Sequence, residues 1–177
     1  MPAVAETVSI DNRFNDPPKR YSIGLIFNGS TTLSTNLAGF RKQSANAVCR
    51  IYRISVILTH AAAGLGHPIS LWRAASVAAG SQVTAADIPM KDTNAGNATL
   101  EVRTDAVTGT KANQRLLMLG GNPVTTAGVA GPHYVWESVD ISDHIVLRGD
   151  EGLIFDQSPI AGDADDRYMV TIEWEEE

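Results

Sequence analysis

The residues of this chain with the widest chemical repertoire are four histidines, His60, His67, His133 and His144, and the loop "GDADDR", which sets Asp163, Asp165 and Asp166 together. No two histidines have the spacing of an HxH or HExxH pair, so a zinc or iron site would need convergence from separate strands. Metal-binding cupins achieve that with paired histidines and a following glutamate, and those are missing here. The four histidines are expected to be structurally unrelated. Carboxylates at alternate positions offer oxygens to calcium, but the full EF-hand loop with its Gly and terminal Glu is absent. Asp and Gly also serve a tight connection between two strands, through local hydrogen bonds and positive φ, and that turn reading is preferred.

The remaining motifs each have a plainer structural use. A hydrolase would need an activated Ser or two carboxylates in an apolar pocket, and "GxSxG" does not occur. Cys49 lies within "AVCRIYRISVILT", where a buried, inert thiol is expected rather than a nucleophile. Arg148-Gly149-Asp150 is the tripeptide that integrin-binding proteins display, but between "IVL" and "LIF" its glycine has a turn to make. "TGTK" at Thr108 to Lys111 lacks the spacing of a phosphate-binding loop, and the sequons "NGS" and "NAT" matter only in a secreted eukaryotic protein. Trp72, Trp136 and Trp174 offer faces for stacking on sugars, yet their alternating positions suit a core, Trp174 above all. No catalytic, cofactor-binding or metal-ligating residue is expected, and no cofactor.

Composition narrows the partners. At 177 residues and 44 % hydrophobic, the chain is long enough for one domain with a real core. Only 19 % of its residues are charged, which leaves the surface weakly protected against association and reads equally as cover by other subunits or as ordinary variation in composition. The net charge of −6 and only 14 basic residues argue against nucleic acid, whose phosphates are held chiefly by Lys and Arg. The four carboxylates among residues 173–177 are expected to form a solvated end. A single cysteine rules out an internal disulfide framework. The opening "MPAVAETVSIDNRFNDPP" has no basic region followed by an apolar run, and no stretch is apolar enough to span a bilayer, so folding in a reducing cytoplasm and no membrane partner are expected.

The elements that must position these residues read as strands. "RYMVTIEWEEE" alternates, with Tyr168, Val170, Ile172 and Trp174 apolar and Arg167, Thr171, Glu173 and Glu175 polar, as a half-buried strand requires. "RYSIGLIFNGS" does the same through Tyr21, Ile23, Leu25 and Phe27, with Asn28-Gly29 as a turn. A polar loop then leads to "AVCRIYRISVILTH", apolar at Val48, Tyr52, Ile54, Val56 and Leu58, with Arg50 breaking that face. "ISLWR" is a short strand, and "AASVAAGSQVTAADIPM" offers a helical turn limited by Gly80 and Pro89. "ATLEVRT", "QRLLMLGG", "HYVWESV", "HIVLRG" and "GLIFDQ" complete about eight or nine strands with no long amphipathic helix. The fold expected is all-β, a jelly-roll-like two-sheet antiparallel β-sandwich. Residues 1–19, polar and ending in prolines, form an extended N-terminal arm, and residues 20–177 a single sandwich domain.

"SQVTAADIPMKDTNAGNATLEVRT", "IVLRGDEGLIFDQSPIAGDADDRYMVTIEWEEE" and the Thr/Gly/Ala-rich stretch between them resemble small virion proteins of tailed bacteriophages, over residues 81–177. In these, a strand ending in Val-Leu-Arg is followed by a Gly-Glu-Gly-Leu turn and a last strand of the Thr-Ile-Glu-Trp-Glu-Glu type. This chain has "RGDEGL" where that pattern often places a proline ahead of Gly-Glu-Gly, which leaves the turn intact. The resemblance implies a noncatalytic virion protein, assembled in the host bacterial cytoplasm. The type it points to is a capsid decoration or cement protein bound to the major capsid protein or other virion proteins, as a homo-oligomer with a trimer preferred. A tail-associated receptor- or carbohydrate-binding module is the alternative, and a cupin-like metalloenzyme a third.

Overall fold

In a computed structural model of the protein the described residues are 18–42, 48–60, 68–84, 87–91, 96–105, 107–119, 133–158 and 162–177, and the counts below refer to these. They form the strands β1 Lys19–Asn28, β2 Asn36–Lys42, β3 Cys49–His60, β4 Ile69–Ala78, β5 Ser81–Val83, β6 Leu100–Thr104, β7 Thr108–Leu119, β8 His133–Glu137, β9 Ile145–Leu147, β10 Gly152–Gln157 and β11 Arg167–Glu176. One 3₁₀ turn, Ile141–Asp143, joins β8 to β9. Two antiparallel sheets pack as a sandwich, the all-β architecture the alternation predicts. The arm expected over residues 1–19 lies almost wholly outside the described residues, and β1 already begins at Lys19.

Sheet A runs β1-β11-β3-β8, with β9 pairing β3 beyond the end of β8. The last strand is central: β11 pairs β1 from Lys19↔Glu176 to Asn28↔Arg167, and pairs β3 along its other edge. Tyr168, Val170, Ile172 and Trp174 are all buried against the opposite sheet, each side chain contributing about 1.5–3 kcal/mol of apolar burial. The break at Arg50 has a cause. Opposite the step from Glu173 to Trp174, β3 steps from Arg53 to Ile51, so Tyr52 is the extra residue of a β-bulge. Below the bulge the buried residues are the odd Cys49 and Ile51, and above it the even Ile54, Val56 and Leu58, with Ser55 buried as well. Arg50 therefore points outward.

Sheet B runs β5-β6-β2-β10-β4-β7 and contains two departures from expectation. The stretch expected to be a polar loop contains β2, a central strand between β6 and β10. The first part of the alanine-rich segment is strand where a helical turn is expected: β4 continues to Ala78 and β5 follows after two residues, and a single turn comes only near the end, where Asp87 N–H bonds Thr84 O at 2.9 Å. Both β2 and β10 are covered on two faces, so neither shows an alternation that marks a strand from sequence.

The second covering comes from the sheet itself. On a flat sheet β4 and β5 would lie about 19 Å apart, four strand spacings. Ala79 and Gly80 span no more than about 11 Å between Ala78 and Ser81. The β4–β7 ribbon, bent by three register shifts, therefore folds over the outer face of β10 and β2. Ala74, Val77, Val107 and Ile154 form a small second core there. Gly39 permits this closure: a Cβ on it would stand 2.6 Å from a Val77 methyl and 2.9 Å from a Val107 methyl. The main core, between the sheets, joins Phe27, Phe40, Phe155 and Tyr168 through ring contacts of 5.8 to 6.4 Å.

Candidate functional site

Alternation places Glu176 on the same side of β11 as Trp174, so its carboxylate enters the core. It accepts hydrogen bonds there from the backbone N–H of Thr99 at 2.9 Å and of Leu100 at 3.2 Å, and from Trp174 Nε1 at 2.9 Å. Tyr21 stacks on Trp174 at 5.5 Å beside it. Burial and the nearby Glu176 charge push the Cys49 thiol up to about 12, while its weak contact with Thr99 Oγ1 pulls the other way. Such a thiol is protonated and shielded, not a nucleophile. Burial, then Glu176, also raises Tyr21.

The outer face of sheet A carries a second carboxylate centre. Glu173 receives Arg53 Nη1 at 2.8 Å, Tyr52 Oη at 3.3 Å and Lys91 Nζ. Lys91 is brought in because Ser22 N–H bonds Pro89 O at 3.1 Å and Lys91 N–H bonds Arg20 O at 2.8 Å along the edge of β1. Burial alone would raise the Glu173 pKa, but the hydrogen bonds from Lys91 and Arg53 outweigh it and hold the carboxyl below its ordinary value. Glu175 lies 3.8 Å from both Arg20 Nε and His144 Nδ1, and Glu177 pairs with Arg50. The expected solvated tail is thus corrected. Glu173, Glu175 and Glu176 are all buried; Glu173 and Glu176 accept hydrogen bonds from distant parts of the chain, and Glu175 lies beside Arg20.

A third centre sits on sheet B, between β10, β4 and β7. Asp156, buried on β10, accepts from Trp72 Nε1 at 2.8 Å and Ser158 Oγ at 2.7 Å and pairs with Lys111. The Trp72 ring has the Lys111 ammonium and the Arg115 guanidinium each 6.0 Å from its centre. This indole is engaged on its nitrogen and around its ring. Trp136 faces the main core and Trp174 is fully buried.

The other sequence candidates are placed as follows. His60, opposite Arg167, and His133, opposite Ile57, share the outer face of sheet A, His144 follows the 3₁₀ turn, and His67 lies outside the described residues. Among the described residues no three His, Cys, Asp or Glu side chains are grouped to hold a metal. The acidic loop uses its carboxylates on itself: Asp166 Oδ2 accepts from Asp163 N–H and Asp163 Oδ1 from Asp165 N–H, both at 2.9 Å. Arg148, Gly149 and Asp150 form the exposed turn between β9 and β10, with Gly149 at φ +57° and Glu151 N–H bonded to Arg148 O at 3.1 Å. "TGTK" opens β7 and pairs with β4 between Ala74 and Ala78, and the sequon residues Asn28 and Asn97 are exposed. No helix among the described residues is long and apolar enough to cross a membrane.

What remains open is a face. Outward residues of sheet A fall in rows across the strands: Asn28, Arg167, His60; then Ile26, Met169, Ile57, His133; then Gly24, Thr171, Ser55, Val135; then Ser22, Glu173, Arg53, Glu137. The two middle rows carry no Lys, Arg, Asp or Glu. Ile26 is 68 % exposed and Val135 45 %, large values for apolar strand residues. Sequence reasoning missed this face because each strand contributes only one or two of its members, and the registers that align them are tertiary. No family model, curated protein or solved structure matches the chain.

Proposed function

We propose that this chain is a noncatalytic structural protein of a tailed-bacteriophage particle, a capsid decoration or cement protein that binds the major capsid shell and stabilises the DNA-filled head. The observation that carries the reading is the uncharged outer face of sheet A, an area of Ile26, Met169, Ile57, Thr171 and Val135 suited to cover by another protein. The three carboxylate centres support it, since their acids are occupied by structural donors rather than left for proton transfer. Beyond Ser22, among the described residues, no strand pairs the free edge of β1, which also suits addition of a neighbour's strand. The resemblance of residues 81–177 to phage virion proteins supplies the particle.

The test is to mix purified protein with expanded, undecorated phage heads and measure co-sedimentation and the temperature of head disruption. Saturable binding that raises this temperature is the expected result. Protein that ignores heads, or that is located only on tails by electron microscopy, would remove the head assignment. The carbohydrate-binding alternative asks for an open tryptophan face, and Trp72, Trp136 and Trp174 are each engaged within the fold.

A further inference from the structure

We infer that residues 6–10 of this same chain lie antiparallel along the free edge of β1, as a strap over Gly24–Asn28. The edge itself is regular. Ser22 N–H bonds Pro89 O and Arg20 O accepts from Lys91 N–H, so the even residues of β1 turn their backbone groups to this side. β1 pairs β11 without a register shift, and past Ser22 the N–H and C=O groups of Gly24, Ile26 and Asn28 meet no backbone partner among the described residues. Leu25 and Phe27 are already buried inward, whereas Ile26 points outward and is 68 % exposed. A strand that completes this edge therefore needs its apolar side chains on the outer face, beside Ile26.

The chain carries one candidate for that strand. Outside the described residues only 1–17 and 120–132 run longer than seven residues, and 120–132 leads into β8 at the far edge of the sheet. Residues 1–17 end at the foot of β1. Their stretch "AVAETVSI", from Ala3 to Ile10, is free of proline and sets Val8 and Ile10 on one side, Thr7 and Ser9 on the other. With Val8 opposite Ile26, Ile10 falls opposite Gly24 and Glu6 opposite Asn28. Gly24 leaves Ile10 room, since a Cβ there would have only Thr171 Oγ1 within 4 Å. Glu6, the one charge of the stretch, joins the row of the exposed Arg167. Length agrees as well: Gly24 stands about 17 Å along β1 from Lys19, and the nine steps from Ile10 to Lys19 reach about 30 Å. The intervening "DNRFNDPP" has the Asp, Asn and Pro of turns and can pass round Pro89–Lys91. A segment that doubles back in this way runs antiparallel, and so short a tether gives it an effective concentration of about 1 mM at its own edge, ahead of a second copy. The strap goes beyond the particle reading and stands whether or not the chain binds heads. It also guards an edge that has no Lys or Pro of its own between Gly24 and Asn28.

The experiment is amide hydrogen exchange of the full chain, read residue by residue by NMR at about 20 μM and about 500 μM. The N–H groups of Gly24 and Ile26 are expected to exchange about tenfold or more slowly in wild type than in Val8→Pro, whose ring blocks the pairing and removes a donor. This protection should not change with concentration. Leu25, whose N–H faces β11, is the folding control, because its protection is expected to be the same in both proteins. Free exchange at Gly24 and Ile26 in wild type, or equal protection of both in Val8→Pro, overturns the inference. Protection that grows with concentration gives the edge to a second copy and overturns it too.

Discussion

Trp174 donates its indole N–H to the carboxylate of Glu176, two residues along the same strand and on the same inward face, at 2.9 Å. Two side chains that a strand necessarily places side by side thereby close one end of the main core. The carboxylate has two further donors, the N–H groups of Thr99 and Leu100, at the entrance to β6.

Removing that acceptor is expected to be costly. Glu176→Ala leaves three buried N–H groups without it, at about 1–3 kcal/mol each, so a loss of roughly 3 kcal/mol or more is expected in urea unfolding. Glu176→Gln keeps one carbonyl oxygen and should lose markedly less. Equal losses for the two would mean that packing, not hydrogen bonding, is what Glu176 supplies.

Stability should depend on acid through Glu173. Its folded pKa lies below the ordinary 4.5, since Lys91 and Arg53 outweigh the effect of burial. A carboxyl depressed in the folded state contributes stability above its unfolded pKa and loses it as the pH falls through the folded value. The thermal midpoint is therefore expected to drop as pH is lowered below 4.5, with a shallower decline in Glu173→Gln. An identical decline in both would assign the acid sensitivity to another group.

The Asp156 centre predicts a similar asymmetry in sheet B. Asp156→Ala strands Trp72 Nε1 and Ser158 Oγ and leaves the Lys111 ammonium only its bond to Ser34 O, and breaking such a buried pair from one side costs about 3–5 kcal/mol. Chemical denaturation followed by tryptophan fluorescence measures it. A change below about 1 kcal/mol, the range of an exposed pair, would show that solvent reaches this carboxylate.

The curl of sheet B rests on close approach at Gly39. Gly39→Ala pushes a methyl into Val77 and Val107 and is expected to cost about 1–3 kcal/mol by overpacking. Val77→Ala in the same chain should return part of that loss, giving a favourable coupling in a double-mutant cycle. Additive losses would place the two residues out of contact.

Cys49 should be silent to thiol reagents. With its pKa pushed up to about 12 and its side chain fully buried, modification at pH 8 is expected only at the rate of unfolding and to accelerate with denaturant. Rapid labelling of native protein would contradict the packing around it.

Much of the sandwich is legible in the sequence because period-two alternation is a local property. Tyr21 to Phe27 and Tyr168 to Trp174 declare their inward faces without reference to any partner, and Arg50 announces the bulge by breaking a face that Ile54, Val56 and Leu58 otherwise continue. β2 was illegible for the opposite reason. "NLAGFRK" is buried between the main core and the folded-over ribbon, and a strand covered on both sides has no polar face to mark it.

The sequence by itself determined the all-β class, one core flanked by alternating strands, and the place of Trp174 within it. Tertiary structure alone decided the fate of the acidic tail. Composition made Glu173, Glu175 and Glu176 look like a wet end, because an isolated carboxylate is costly to bury. Donors to Glu173 and Glu176 come from Lys91 and Thr99, 82 and 77 residues away, and only the folded registers bring them within hydrogen-bonding reach.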